Sequence, residues 1–204
     1  MCGAFNSSII RHVQRQLAAV TGKYEQVQLS FVGRKAHEFF KRRELPIRQA
    51  HVNILRDFDF ELAVRVGEEL VKAYHEGEAD EIYIVYNEFI SAISQGIVTR
   101  RLVPVQMPEP DPAQPDAGTD FKYEPNKEEI LKELLPRQVN FQLYRAFLES
   151  FAAEMGARMS AMDNATKNAG DMIDRLTLKY NRTRQAAITV ELMEIINGAE
   201  ALKG

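Results

Sequence analysis

RQVNFQLYRAFLESFAAEMGARMSAMDNATKNAGDMIDRLTLKYNRTRQAAITVELMEIINGAEAL, Arg137 to Leu202, decides how this chain is built. The stretch holds no proline. Tyr144, Phe147, Leu148, Phe151, Met155, Met159, Met162, Met172, Ile173, Leu176, Tyr180, Ile188, Ile195 and Leu202 recur mostly at three- and four-residue steps. That spacing draws one apolar stripe along an α-helix. At 1.5 Å per residue the helix is roughly 100 Å long, whereas the rest of the chain would pack into a domain about 30–40 Å across. The helix must project, and no other helical stretch is long enough to cover its stripe. The chain therefore reads as a folded domain over 1–136 and a long helix over 137–204.

Upstream, helical and extended patterns alternate. Ile9, Val13, Leu17 and Val20 mark a first helix that Asn6, Ser7 or Ser8 would cap. Val27–Val32 alternates as a strand, and Gly33 then opens a basic helical stretch with Arg34, Lys35, Lys41, Arg42 and Arg43. Pro46 ends it, and His51–Leu55 is a weaker extended candidate. Leu62, Val66, Leu70 and Val71 predict a helix over Glu61–Tyr74, stopped at Gly77. Glu81–Phe89 carries the strongest buried-strand signal, IYIVY, and Ile97–Val105 reads as a further strand. This order predicts an α/β domain with a parallel or mixed sheet. Six of the eight prolines fall within 104–125, which reads as an extended linker with a short strand at Phe121–Glu124. Lys127–Leu135 predicts a short helix that Pro136 breaks.

Catalytic chemistry is not visible. There is no phosphate-binding Gly-x-x-x-x-Gly-Lys-Ser/Thr loop and no Gly-x-Gly-x-x-Gly. His37-Glu38-Phe39-Phe40-Lys41 opens like a zinc-protease helix, but lysine stands where the second ligand belongs. The four histidines are scattered, and Cys2 as the single cysteine permits no internal disulfide. No cofactor, metal or catalytic residue is expected. The net charge of −3 predicts no nucleic-acid partner. No run of eighteen apolar residues marks a membrane span, and the opening residues do not read as a signal peptide. One charge feature stands out. Arg175, Lys179, Arg182 and Arg184 crowd ten residues, and no acid follows Asp174 until Glu191. The first three share a helical face. They suit a solvated surface or an acidic collar on a protein partner.

The run GARMSAMDNATKNAGDMIDRLTLKYNRTRQAAITVELMEIINGAEAL, Gly156–Leu202, resembles the C-terminal helix of the gamma subunit of F-type ATP synthases. Cys2-Gly3-Ala4-Phe5-Asn6 with the following SSIIRHV is similar to that family's motif ahead of its first domain helix. Phe121–Pro125 resembles its segment at the foot of the rotor. The resemblance implies a Rossmann-like domain with a parallel or mixed sheet, plus a very long C-terminal helix that forms an antiparallel coiled coil. It implies a central-stalk rotor that couples proton-driven c-ring rotation to conformational change in the beta catalytic sites, itself non-catalytic. Implied partners are the alpha–beta hexamer, the epsilon subunit and the c-ring, with the membrane reached only through the c-ring. The implied location is the cytoplasmic face of a bacterial inner membrane, or the matrix side in a mitochondrion. Residue by residue, Arg158 resembles the arginine midway up the helix that touches the hexamer. Arg184, Gln185, Thr189 and Glu191 resemble the polar set near its upper end. Arg175, Lys179 and Arg182 fall where the shaft faces acidic lever segments of beta. Phe121, Tyr123 and Glu124 resemble positions near the c-ring and epsilon.

The family's long N-terminal helix and first strand have no counterpart before Cys2, so the sequence reads as an N-terminally truncated gamma subunit. The alternative is a non-motor α/β scaffold whose helix only oligomerises. An uncovered stripe and unpaired sheet edges favour association. On its own the chain is expected to be oligomeric or poorly folded, as size-exclusion chromatography with light scattering would report. A monomer unfolding in one sharp cooperative transition contradicts that expectation.

Overall fold

A computed structural model describes residues 3–43, 45–52, 59–105 and 123–202. It divides into two units, Met1–Arg158 and Met159–Gly204. The elements in order are α1 (Gly3–Val20), β1 (Leu29–Val32), α2 (Arg34–Lys41), β2 (Ile47–His51), α3 (Phe60–His75), β3 (Ile82–Ser91), β4 (Ser94–Val103) and α4 (Lys127–Ala201).

The parallel pair β1–β2 is joined through α2, a compact β–α–β unit. Gly33 makes the turn into α2 at φ 116, open to glycine at little steric cost, and its N–H donates to the His51 carbonyl at 2.9 Å. Phe31 of β1 and Phe40 of α2 are buried and stacked at 5.5 Å, which seats α2 on the strand. β3 and β4 form an antiparallel hairpin turning at Ala92-Ile93. Parallel and antiparallel pairing are both present, as the α/β reading expects, but in two separate two-stranded sheets among the described residues.

Helix α3 is delimited by its own chemistry. The Asp59 carboxylate accepts the Leu62 N–H at 3.0 Å. At the other end, Gly77 adopts φ 72 and donates to Tyr74 O, while Glu78 donates to Ala73 O, together a Schellman closure. The core forms where α3, the hairpin and α4 meet. Leu62, Ala63 and Val66 pack with Ile82, Leu102 and Val103, and with Val139, Leu143 and Phe147. Beside it, Phe60 meets Phe141 and Tyr144 at 5.2 and 5.5 Å between ring centroids.

Several expectations are corrected. Asn6, Ser7 and Ser8 lie inside α1 rather than at its cap, and the Ser7 hydroxyl donates back to Ala4 O at 3.2 Å. The second strand is Ile47–His51, earlier than His51–Leu55; residues 53–58 lie outside the described residues. β4 begins at Ser94, because the tight turn lets pairing start at Ser91↔Ser94. Pro136 does not break the last helix, which starts at Lys127 and runs through it. Proline removes one N–H bond to the carbonyl four residues back, and that residue, Lys132, is exposed, so water can satisfy the carbonyl.

A polar cluster ties the loop after α1 to the hairpin. Glu81 Oε2 accepts from the Tyr24 hydroxyl at 2.6 Å and the Tyr83 hydroxyl at 3.0 Å, and Arg101 pairs with Oε1 at 3.4 Å. The Tyr24 hydrogen bond, then that of Tyr83, holds the Glu81 carboxyl below its ordinary value. The same bond to Glu81 pushes the Tyr24 phenol well above its usual range.

A lowered folded value means that Glu81 stabilises above the unfolded carboxyl range and loses this contribution as pH falls through its folded value. Glu81→Gln is therefore less stable than the parent at neutral pH, and the gap closes on acidification, as urea unfolding at a series of pH values would show. Between α3 and α4, a Cβ on Gly67 would overlap Asn140 Oδ1 and lie 3.0 Å from its Cγ. Overpacking there exceeds the roughly 1 kcal/mol helix gain. Gly67→Ala is expected to cost about 1–2 kcal/mol in denaturant unfolding, and Gly67→Ala/Asn140→Ala to recover most of it.

Candidate partner-binding surface

In the unit Met159–Gly204, no described residue is buried. Met172, Ile173, Leu176, Tyr180, Ile188 and Ile195 are each between 56% and 65% exposed. With about 100° per residue, these side chains gather on one broad side of the helix. Arg175, Lys179 and Arg182 gather on the other side, within about 60° of one another. Arg184 does not join them. It lies nine positions after Arg175, about 180° round the axis, and shares its side with Glu191, while Gln185 and Thr189 fall between the two.

The polar side chains of this segment are satisfied mostly by the helix itself. Arg175 Nε donates to Asp171 O at 3.4 Å, and the Thr189 hydroxyl to Gln185 O at 2.9 Å. Lys167 pairs with Asp163 at 2.9 Å. Among the described residues no ion pair engages Arg175, Lys179, Arg182 or Arg184, so the four guanidinium and ammonium groups keep their charge for an outside anion. Arg158 differs. It is the last residue of the first unit, pairs with Glu154 four residues back, and reaches Met155 Sδ at 4.0 Å.

Tyr123 and Glu124 precede α4, whose first turn is capped by Asn126 Oδ1 accepting the Glu129 N–H at 2.9 Å. The Lys127 ammonium stands over the exposed Tyr123 ring at 5.8 Å. Neither residue is in a strand, and Phe121 lies outside the described residues. Tyr123 and Glu124 belong to the first unit, and Arg175–Glu191 to the second.

Nothing described assembles catalytic machinery. An open polar depression of about 650 Å³ is lined by Gln26, Gln28, Arg48, Gln49, Gly77 and Glu78, with Arg48 and Glu78 paired at 2.6 Å across it. None of these lining residues is a serine, threonine, cysteine or lysine nucleophile, and the one carboxylate, Glu78, is held by Arg48. His51 is engaged by Glu69 at 3.3 Å, and His12 by the Thr99 hydroxyl at 2.9 Å. Among the described residues, no group of three His, Cys, Asp or Glu side chains could hold a metal, and no helix is long and apolar enough to cross a membrane. Sequence reasoning missed the Tyr24–Glu81–Tyr83–Arg101 cluster and the approaches at Gly67 and Gly156. Only the glycines carried a signal, each being isolated within a helical pattern.

A family profile described as ATP synthase matches residues 1–202. The ATP synthase gamma chain of Anaeromyxobacter sp. (strain Fw109-5) is 50% identical over 203 residues, spanning 100% of this chain and 69% of that protein. The gamma chain of Sorangium cellulosum is 44% identical over 215 residues, spanning 100% of this chain and 66% of that one. Among solved structures, a chain from the central stalk and c-ring of the Tetrahymena thermophila mitochondrial ATP synthase superposes with a TM-score of 0.61 at 26% identity, covering 81% of this chain and 70% of that one. A chain from the Euglena gracilis mitochondrial enzyme reaches 0.64 at 21% identity over 98% of this chain and 68% of that one, a likeness of fold. The chain belongs to the ATP synthase gamma-chain family.

Proposed function

We propose that this chain is the central-stalk rotor of an F-type ATP synthase, passing c-ring rotation to the catalytic beta subunits. The observation that carries the reading is a helix whose large apolar side chains are uncovered and whose Arg175, Lys179 and Arg182 share one unpaired side, in a chain of the gamma-chain family. Burying one such side chain is worth roughly 1.5–3 kcal/mol, so the stripe calls for a partner along its length. A helix packed against the stripe leaves Arg175, Lys179 and Arg182 facing outward, where acidic lever segments of the beta subunits would meet them. Arg184 and Glu191, on the stripe side, then belong to a different contact from those three. With Gln185 and Thr189 they suit a polar loop of the alpha and beta subunits, and Arg158 a contact lower on the hexamer. Phe121, Tyr123 and Glu124 are assigned to the c-ring and epsilon side.

The chain makes and breaks no bond in this scheme. Its work is rigid-body: an asymmetric shaft presents a different side to each beta subunit as it turns, and that difference in contact free energy shifts nucleotide affinity. It reaches the membrane only through the c-ring, which places it on the cytoplasmic face of a bacterial inner membrane or the matrix face of a mitochondrial one.

The reading is tested by tagged purification from native membranes in mild detergent, with co-purifying proteins identified by mass spectrometry. Recovery of alpha, beta, epsilon and c subunits supports it; recovery of the chain alone supports the oligomeric scaffold instead. Exposed ion pairs contribute about 0.2–1 kcal/mol each. Arg175→Glu/Lys179→Glu/Arg182→Glu should thus weaken binding to the alpha–beta hexamer by roughly 10- to 100-fold, with the deficit shrinking at high salt. Unchanged affinity in a binding titration contradicts the assignment of these three residues.

A further inference from the structure

The geometry points to a two-sided lock, Asn140 against Gly67 and Gly156 against the Ala92 turn, that stops α4 from rolling in its domain and makes these the positions through which torque enters the helix. The inference rests on the rotor reading and deepens it. A rotor helix has to be held against rotation about its own axis, which is a stricter demand than being held in place.

Apolar burial supplies part of that hold: rolling α4 would expose Val139, Leu143 and Phe147, which it buries on α3 and the hairpin. The hydrophobic force is itself non-directional, so the rotational setting comes from how the surfaces interlock. Interlocked shapes resist turning. At α3, Gly67 opens a notch in the helix surface that the Asn140 side chain fills; a Cβ there would overlap its Oδ1. Asn140 is itself buried, and its Oδ1 has no hydrogen-bond partner, so polar bonding does not explain its position. Shape does.

The second approach comes from a different element. A Cβ on Gly156 would lie 3.0 Å from the Ala92 carbonyl oxygen and 3.3 Å from its Cα, so backbone meets backbone at the hairpin turn. Asn140 and Gly156 are sixteen positions apart, which places them about 160° apart around the helix. α4 is therefore engaged on nearly opposite sides, its Asn140 set into the α3 notch and its own notch at Gly156 set against the hairpin turn. On the hairpin side between them sit Arg145 and Glu149, joined at 2.6 Å, with the other Glu149 oxygen buried and unpartnered. The charges around the buried Tyr86 come from Glu149 and Arg145 of α4 and from Glu88 and Arg100 of the hairpin. Its phenol is raised, first by burial and then by Glu149. Rolling α4 would carry Glu149 and Arg145 toward the apolar cluster, at the cost of desolvating a carboxylate and a guanidinium. Shape and charge oppose the same motion.

The test uses the assembled synthase in inverted membrane vesicles, reading ATP hydrolysis and ATP-driven proton uptake side by side. Gly67→Val/Gly156→Val, which pushes α4 off both notches, should leave hydrolysis near the parent's while proton uptake per ATP falls several-fold. Adding A92C and G156C to Gly67→Val should restore the ratio when the disulfide is oxidised and release it on reduction. Hydrolysis and uptake falling in proportion would mean that the contacts serve folding or assembly only, and an unchanged ratio in the double variant would mean that they carry no torque; either overturns the inference. Failure of the rotor reading looks different: the unaltered chain, present in the complex, would support no proton uptake at all.

Discussion

The first unit depends on α4 being packed between α3 and the β3–β4 hairpin. A two-stranded hairpin is not stable in water by itself, and neither is a helix of sixteen residues. Each becomes stable here because Val139, Leu143 and Phe147 supply the apolar surface that Leu62, Val66, Ile82 and Leu102 need to bury. The β1–α2–β2 unit has its own smaller contact in the Phe31–Phe40 stack. Take α4 away and both the hairpin and α3 lose one wall of their shared core.

The residue types of α4 change along its length in a way that suits a shaft. Where it contributes to the core it carries aliphatic and aromatic side chains with buried small residues, Ala146 and Ala153, and Gly156 at the close approach to Ala92. From Met159 onward, methionines and isoleucines continue the stripe without any cover in the described residues. Methionine is unbranched and polarizable, and tolerates a neighbour that shifts. Rigid contacts belong where the helix is held; adaptable ones suit a surface that meets successive partners.

Much of this was legible in the chain itself. A 3.6-residue period survives as long as one side of a helix stays apolar, so α3 and α4 could be read from side-chain spacing alone. β1 was legible for the same reason with a period of two. The signal failed where a local rule was overridden. Pro136 reads as a stop, yet the helix passes through because the carbonyl it strands faces water. The strand read from Ile97 starts three residues earlier, at Ser94, because its partner lies directly across a tight turn. Arg184 reads as part of a basic cluster when counted along the chain, and departs from it once the residues are wound onto a helix.

Composition and periodicity by themselves determined the long helix, its apolar stripe, its run of cations and the absence of any recognisable catalytic motif, since each is a property of neighbours in sequence. The tertiary structure alone decided that β3 pairs with β4 apart from β1–β2, that Tyr24 and Tyr83 converge on Glu81, and that Gly67 receives Asn140 while Gly156 receives the Ala92 turn. These join residues far apart in the chain. Their meeting follows from which surfaces fill each other's shape, and no local pattern records that.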